Sequence, residues 1–125
     1  MIHGIGTDIV QVARLRASLE RHGPRFAARI LADTECAAFE ASRDPARFLA
    51  KRFAAKEAFG KALGTGVAAP ATLHAVAVTH DERGKPLFDY AAPLAAYLEE
   101  RGLRAHLSLT DESDYVVAFA LIEKR

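Results

Sequence analysis

The segment from Pro45 to about Leu63 constrains the fold most, because its pattern predicts one long helix in a chain of 125 residues. Proline suits the first position of a helix, where the N–H that it lacks would have no helical partner. Apolar residues recur along the segment, and Gly64-Thr65-Gly66 ends it. Glu57 lies in this segment among lysine and arginine residues, so the predicted helix carries a carboxylate and several cations together.

A second informative segment lies at the amino terminus, where residues 2–10 predict a strand. Gly4 and Gly6 within it permit the close approach of another backbone. Asp8 is the one acid of this strand. The two acids, the cationic helix and the Gly-Thr-Gly turn are the groups that a magnesium-assisted site for a phosphate-bearing substrate would need.

The rest of the pattern predicts an α+β fold, with helices concentrated in the first half around a mainly antiparallel sheet. Further helices are predicted over residues 11–22, 26–31, 33–40 and 93–101, the third with Asp33 as its N-cap. Further strands are predicted over residues 74–78, 87–90, 105–109 and 115–122. No repeat or linker divides the sequence, so a single domain over residues 1–125 is expected.

Composition and charge narrow the classes of function. Half of the residues are hydrophobic and 26% are charged, as in ordinary globular proteins. The net charge is +1, distributed as +4 over residues 1–63 and −3 over residues 64–125, which suits an anionic ligand or an acidic partner but not a nucleic acid. No membrane-spanning run or signal peptide is present, and Cys36 is the only cysteine. A cytoplasmic location without membrane association is therefore expected.

Four segments together resemble the bacterial holo-acyl-carrier-protein synthases, the small single-domain 4'-phosphopantetheinyl transferases. They are GIGTDIV, FLAKRFAAKEAFGKALGTG, GKP and AHLSLTDESDYVVAFALIE, and the resemblance runs from Ile2 to Glu123. It implies a 4'-phosphopantetheinyl transferase-like fold and transfer of the phosphopantetheine arm of coenzyme A to a serine of apo acyl carrier protein. It further implies release of 3',5'-ADP, dependence on Mg²⁺, a role in fatty acid biosynthesis, and a homotrimer with sites between subunits.

The resemblance assigns roles to individual residues. It matches Asp8 and Glu57 to the metal ligands and implies that Lys61, one helical turn beyond Glu57, stabilises phosphate charge. Glu57 is also the candidate general base for the serine hydroxyl. Residues expected to contact coenzyme A are Arg52, Lys61, Gly64, Gly66, Pro86 and His106.

An acidic carrier protein would need a cationic docking surface. The first predicted helix offers Arg14 and Arg21, with Arg25 and Arg29 just beyond it. We predict that Arg14 and Arg21 bind the carrier protein, whereas a solvated helix face is an equal alternative for Arg25 and Arg29.

Without the resemblance, the same residues also allow purely structural roles. Asp8 could cap the helix that follows it, Glu57 could pair with Lys61 on the helix surface, and the glycine turn could be a simple C-cap. His106 could be a packed strand residue. At the level of function, the alternative is a non-catalytic module that binds coenzyme A or a nucleotide, and an RNA-binding domain is a weaker one.

The chain departs from the pattern of the resembled family at Thr110-Asp111 and at Gln11. Thr110-Asp111 stands where many members have Ser-His, so a mechanism that needs histidine there does not transfer to this chain. Gln11 stands where a glutamate is common, which removes one candidate acid. No role is assigned to Cys36.

Overall fold

The computed structural model describes residues 1–125 and confirms the predicted α+β class. Strand β1 covers Ile2–Gln11, helix α1 Val12–His22, α2 Pro24–Ile30, a 3-10 turn Asp33–Glu35, α3 Cys36–Glu40 and α4 Pro45–Leu63. The second half contains β2 Val76–His80, β3 Pro86–Tyr90, α5 Ala92–Glu100, β4 Leu103–Asp111 and β5 Tyr115–Lys124. None of these helices is long and apolar enough to span a membrane.

Helix α4 begins and ends at the predicted residues because both ends have strong local signals. Asp44 caps it by accepting a hydrogen bond from the Arg47 N–H at 3.2 Å, and this bond is the main reason that the pKa of Asp44 lies below its usual value. Gly64 ends the helix in a left-handed conformation, with φ of 96°. Asp33, by contrast, is not an N-cap: Ala32 precedes the 3-10 turn, and its N–H donates to Glu35 Oε1 at 2.9 Å.

The strands form two antiparallel sheets. The larger one has the order β1-β5-β4, and the smaller one consists of β2 and β3. One face of the larger sheet packs on α4, so the core lies between this helix and the inward side chains of the strands. Strand β4 is two residues longer than predicted at each end, and β5 is two residues longer at its carboxyl end. The two strands pair from Leu103–Lys124 to Asp111–Val116, and this pairing sets their lengths.

Strand β1 packs directly against the backbone of α4. A Cβ atom at Gly6 would lie 2.8 Å from Lys61 Cβ and closer still to the carbonyl oxygen of Ala58, and a Cβ at Gly4 would meet the carbonyl oxygen of Ala62. Only glycine allows this approach, which is tighter than any ordinary side-chain contact. The two glycines of the amino-terminal motif therefore fix the distance between β1 and α4.

The opposite face of the larger sheet is open to solvent. Side chains alternate along a strand, and Gly6 and Val10 of β1 are buried, so Ile5, Thr7 and Ile9 point outward. They lie opposite Leu121, Phe119 and Val117 of β5, and Leu121 in turn lies opposite His106 of β4. We call these seven residues the outer sheet face. It is largely apolar, and Ile9 retains 64% of its exposure.

Candidate active site

Asp8 and Glu57 line one cavity, although 49 positions separate them in sequence. Asp8 lies on the inward side of β1 next to buried Val10, and Glu57 lies on α4, against which that strand packs. The cavity measures about 560 Å³. Its lining is completed by Ile9, Val10, Arg14, Leu15, Ser18, Phe26, Arg29, Ile30, Phe53 and Leu73.

We call Asp8 and Glu57 the acid pair. The charges near it have opposite effects on the pKa of Glu57. Burial raises the pKa of Glu57 above its usual value, the charge of Asp8 raises it further, and the charge of Lys61 partly offsets both effects. Two carboxylates that repel each other at the edge of a cavity form a site that gains from a bound cation.

Lys61 contacts β1 rather than Glu57. Its Nζ donates to the Thr7 carbonyl oxygen at 2.9 Å and lies 3.5 Å from Asp8 Oδ1. The interpretation of Glu57 and Lys61 as a surface ion pair is therefore wrong. The interpretation of Asp8 as a helix cap is also wrong, because α1 begins after Gln11 without any side-chain capping bond.

The donor set of the acid pair fits Mg²⁺ better than a transition metal. No group of three or more His, Cys, Asp or Glu side chains converges anywhere in the chain. Magnesium needs few protein ligands, because it commonly keeps several waters and binds one or two carboxylates together with substrate phosphates. Asp8 and Glu57 are the residues that could hold it.

Arg52 belongs to a different environment from Glu57. Five residues along a helix turn it by about 140°, so the two side chains lie on different faces of α4. Arg52 is only 6% exposed; its Nε lies 3.1 Å from Glu35 Oε2 without a hydrogen bond, and its guanidinium stacks on Phe48 at 4.3 Å. Arg52 is therefore anchored inside its own chain, and the predicted contact with a nucleotide phosphate would be limited to its exposed edge.

Lys56 and Glu35 complete this buried cluster, and neither was predicted from the sequence as a functional residue. Lys56 Nζ donates to Glu35 Oε1 at 2.6 Å, while Glu35 Oε2 accepts from the Val78 N–H at 2.9 Å. Burial lowers the pKa of Lys56, and the charge of Glu35 opposes that shift. One sequence pattern could have indicated this cluster: the i, i+4 spacing of Arg52 and Lys56 puts two cations on one face of a mostly buried helix.

The other predicted coenzyme-binding residues lie outside the cavity of the acid pair. The Gly60 carbonyl oxygen accepts hydrogen bonds from both Gly64 and Gly66 N–H groups, each at 3.0 Å, so the glycine turn folds back on the end of α4. Pro86 begins β3 opposite His80. His106 lies on the outer sheet face, where its Nε2 is 2.8 Å from Glu123 Oε2. A single chain does not bring His106 and the acid pair together.

The predicted docking arginines surround the mouth of the site. Arg14 and Arg29 line the same cavity as the acid pair. Arg21, His22, Arg25, Phe26 and Arg29 line a second cleft of about 320 Å³ beside it. The structure thus joins a strongly cationic surface to the two carboxylates.

The residues that depart from the family pattern have structural partners. Arg47 Nη1 donates to Asp111 Oδ2 at 2.9 Å, and Arg47 also donates to the Glu112 and Ser113 carbonyl oxygens, both at 2.7 Å. Asp111 therefore fastens the turn between β4 and β5 to the start of α4. Gln11 ends β1 opposite Tyr115, and Cys36 is exposed, with its Sγ 3.7 Å from the Ala32 carbonyl oxygen.

Comparisons with known proteins agree with this architecture. The family model described as the 4'-phosphopantetheinyl transferase superfamily matches residues 4–120. A holo-(acyl-carrier-protein) synthase of Aromatoleum aromaticum is 80% identical over 125 residues, and one of Azoarcus sp. is 76% identical over 125 residues, with complete coverage of both chains in each case.

Solved structures give the same result. The crystal structure of holo-(acyl-carrier-protein) synthase from Neisseria meningitidis has a TM-score of 0.96 at 46% identity and covers 99% of this chain and 100% of that one. The synthase from Bacillus anthracis in complex with coenzyme A (3',5'-ADP) has a TM-score of 0.85 at 31% identity and covers 100% of this chain and 99% of that one. The chain therefore belongs to the 4'-phosphopantetheinyl transferase superfamily and, within it, to the holo-(acyl-carrier-protein) synthases, which are enzymes.

Proposed function

We propose that this chain catalyses Mg²⁺-dependent transfer of the 4'-phosphopantetheine arm of coenzyme A to a serine of apo acyl carrier protein, with release of 3',5'-ADP. The observation that carries this proposal is the acid pair, Asp8 and Glu57, which shares one cavity with Arg14 and Arg29. Coenzyme A as co-substrate is supported by the bound ligand named for the Bacillus anthracis relative. The expected physiological role is fatty acid biosynthesis in the cytoplasm.

Asp8 and Glu57 would hold Mg²⁺ through their carboxylates. The bound ion would supply positive charge for the pyrophosphate of coenzyme A and for the leaving 3',5'-ADP. Lys61 is held by the Thr7 carbonyl oxygen beside Asp8, so its ammonium is fixed where phosphate charge would grow. Glu57 would accept the serine proton, directly or through a water.

The remaining coenzyme contacts are proposed to come from Arg52, Gly64, Gly66 and Pro86, with His106 supplied by a neighbouring subunit. His106 lies on the outer sheet face, away from the acid pair of its own chain. The same face exposes Ile5, Ile9 and Phe119, and an open apolar surface of this kind is typical of a subunit contact. We therefore propose a homotrimer in which this face borders the site of the adjacent copy.

The competing function is a non-catalytic module that binds coenzyme A or a nucleotide. Such a module would use the cations of α4 and of the docking surface. It has no need for two carboxylates beside the phosphates, because without a metal they repel an anionic ligand. Asp8 and Glu57 favour the transferase.

Intact-mass spectrometry tests the proposal directly. Apo acyl carrier protein incubated with this protein and coenzyme A should gain the mass of one phosphopantetheine in the presence of Mg²⁺, and should gain none after chelation by EDTA. A carrier protein competent with another synthase serves as the positive control. If it gains no mass here, while coenzyme A still binds in a titration, the non-catalytic module is the correct function.

Arg14 is expected to guide the acidic carrier protein to the cavity. Arg14→Glu should lower kcat/KM for the carrier protein by about 10-fold at low salt, with the difference shrinking as salt screens the charges. The KM for coenzyme A should stay unchanged. Arg101→Glu, which makes the same charge change on the distant α5 end, is the matched control. Equal salt dependence in both variants and the parent would exclude a docking role for Arg14.

A further inference from the structure

Lys56, next to Glu57 in sequence, does not line the cavity, and all the donors of its ammonium are occupied. Lys56 is 1% exposed, and its ammonium donates to three acceptors: Glu35 Oε1 at 2.6 Å, the Ile30 carbonyl oxygen at 2.7 Å and the Leu73 carbonyl oxygen at 2.9 Å. An ammonium has three donors, so none remains for a substrate. Lys56 therefore does not act on the reacting groups.

Two of these three acceptors belong to the wall of the cavity. Ile30 ends α2, and Leu73 lies in the connection between α4 and β2, yet both residues line the cavity with Glu57. Most backbone hydrogen bonds of the connection are local, such as Ala75 N–H to the Thr72 carbonyl oxygen at 3.1 Å, and its end is also held by the Ala91 N–H, which donates to the Ala75 carbonyl oxygen at 2.9 Å. Its further tie to α2 is His74 Nε2, which lies 2.8 Å from the Ala28 carbonyl oxygen. Lys56 thus ties both wall segments to α4, whereas His74 joins them only to each other.

Stability alone is a weak explanation for this buried cluster. Removing charged groups from water costs free energy that a buried ion pair often does not recover, and apolar replacements of similar volume are frequently as stable. A buried lysine with two of its three donors directed at wall segments is better explained by the geometry that it imposes. The third acceptor, Glu35, fixes the ammonium, and Arg52 shares the charge of Glu35 from the preceding turn.

We propose that Lys56 is a positioning residue that sets the shape of the carrier-protein side of the cavity by holding Ile30 and Leu73 at fixed places relative to Glu57. The inference rests on the proposed function, in which Arg14 and Arg29 at this cavity receive the carrier protein. Loss of Lys56 then affects recognition of the carrier protein more than the chemistry at the acid pair.

The test is a steady-state comparison in which carrier protein and coenzyme A are varied separately. Lys56→Met keeps the length of the side chain and leaves Glu35 paired with Arg52. We expect KM for apo acyl carrier protein to rise about 10-fold, with kcat and KM for coenzyme A within about 3-fold of the parent. Leu98→Ala, a buried position on α5 outside this cavity, controls for a general loss of stability and should leave both KM values unchanged.

A second variant covers the case in which Lys56→Met does not fold. Lys56→Arg keeps the charge beside Glu35, but its planar fork does not reproduce three tetrahedral donors, so we expect an intermediate rise in KM for the carrier protein. Unchanged KM in the folded variants, an equal rise in Leu98→Ala, or loss of folding in both Lys56 variants would overturn the proposal. Failure of the parent to transfer phosphopantetheine would instead reject the proposed function.

Discussion

Asp8→Asn and Glu57→Gln are each expected to lower phosphopantetheine transfer by at least about 10²-fold at saturating Mg²⁺. Both replacements keep the size of the side chain but remove one of the two carboxylates that line the cavity. Neutral amide ligands bind Mg²⁺ more weakly than carboxylates do, because the charge of the ligand is lost. In Glu57→Gln the candidate base for the serine hydroxyl disappears as well, so the Glu57 variant should be the slower of the two.

Metal binding gives a readout that does not depend on turnover. Mn²⁺, a spectroscopic substitute for Mg²⁺, should bind the parent and bind both variants more weakly in an electron paramagnetic resonance titration. Glu99→Gln removes an exposed carboxylate from α5 and should match the parent in both assays. If either acid variant transfers phosphopantetheine at the parental rate with saturating Mg²⁺, that acid is not part of the reaction site.

Glu57→Gln should not destabilise the metal-free protein. The pKa of Glu57 is raised in the folded state by burial and by Asp8, so its ionised form opposes folding. This penalty is present above the unfolded-state pKa of about 4.3 and vanishes as the pH falls below it. At pH 7 the metal-free Glu57→Gln variant should therefore melt at or above the temperature of the parent, which separates loss of activity from loss of fold.

The predictability of this chain depends on how local each signal is. Helix α4 matches its prediction at both ends, because Pro45 and Gly64 determine those ends through their own backbone preferences. The ends of β4 and β5 depend on cross-strand pairing, which short-range patterns do not contain. Asp33 failed as an N-cap because the turn begins one residue earlier: the Glu35 N–H donates to the Ala32 carbonyl oxygen, and the Glu35 side chain, which Lys56 holds in place, accepts from the Ala32 N–H.

In the candidate site, too, the features with a local sequence signal could be predicted and those that depend on the tertiary structure could not. The motifs identified Asp8 and Glu57, but they did not indicate that Lys61 would cross to Thr7 and Asp8 instead of pairing along its helix. That choice follows from the short distance between β1 and α4, which is a property of the tertiary structure. The Glu35–Lys56 pair joins residues 21 positions apart and is invisible to any helical or strand period. His106 was correctly assigned to a strand, yet its separation from the acid pair depends on which face of the sheet α4 covers.

Among substitutions that add one methyl group to the amino-terminal motif, Gly6→Ala should be the most destabilising. The new Cβ would overlap the Ala58 carbonyl oxygen and lie 2.8 Å from the backbone nitrogen of Ala62, so the backbone of β1 or α4 has to move. Overpacking of a rigid contact costs about 3 kcal/mol or more when the obstacle is backbone. A domain of this size should then melt roughly 10 °C lower, measured by circular dichroism or calorimetry.

The control for Gly6→Ala is Gly102→Ala, because Gly102 has a left-handed φ of 65° but an added Cβ would meet only the Arg125 carbonyl oxygen at an ordinary 3.6 Å. It should cost about 1–2 kcal/mol from backbone strain alone. The folded fraction of Gly6→Ala should also bind Mn²⁺ more weakly than the parent, since β1 carries Asp8 and α4 carries Glu57. Equal melting temperatures for the two glycine variants would show that β1 can withdraw from α4 at little cost, and that the glycines of the motif do not set the spacing of the acid pair.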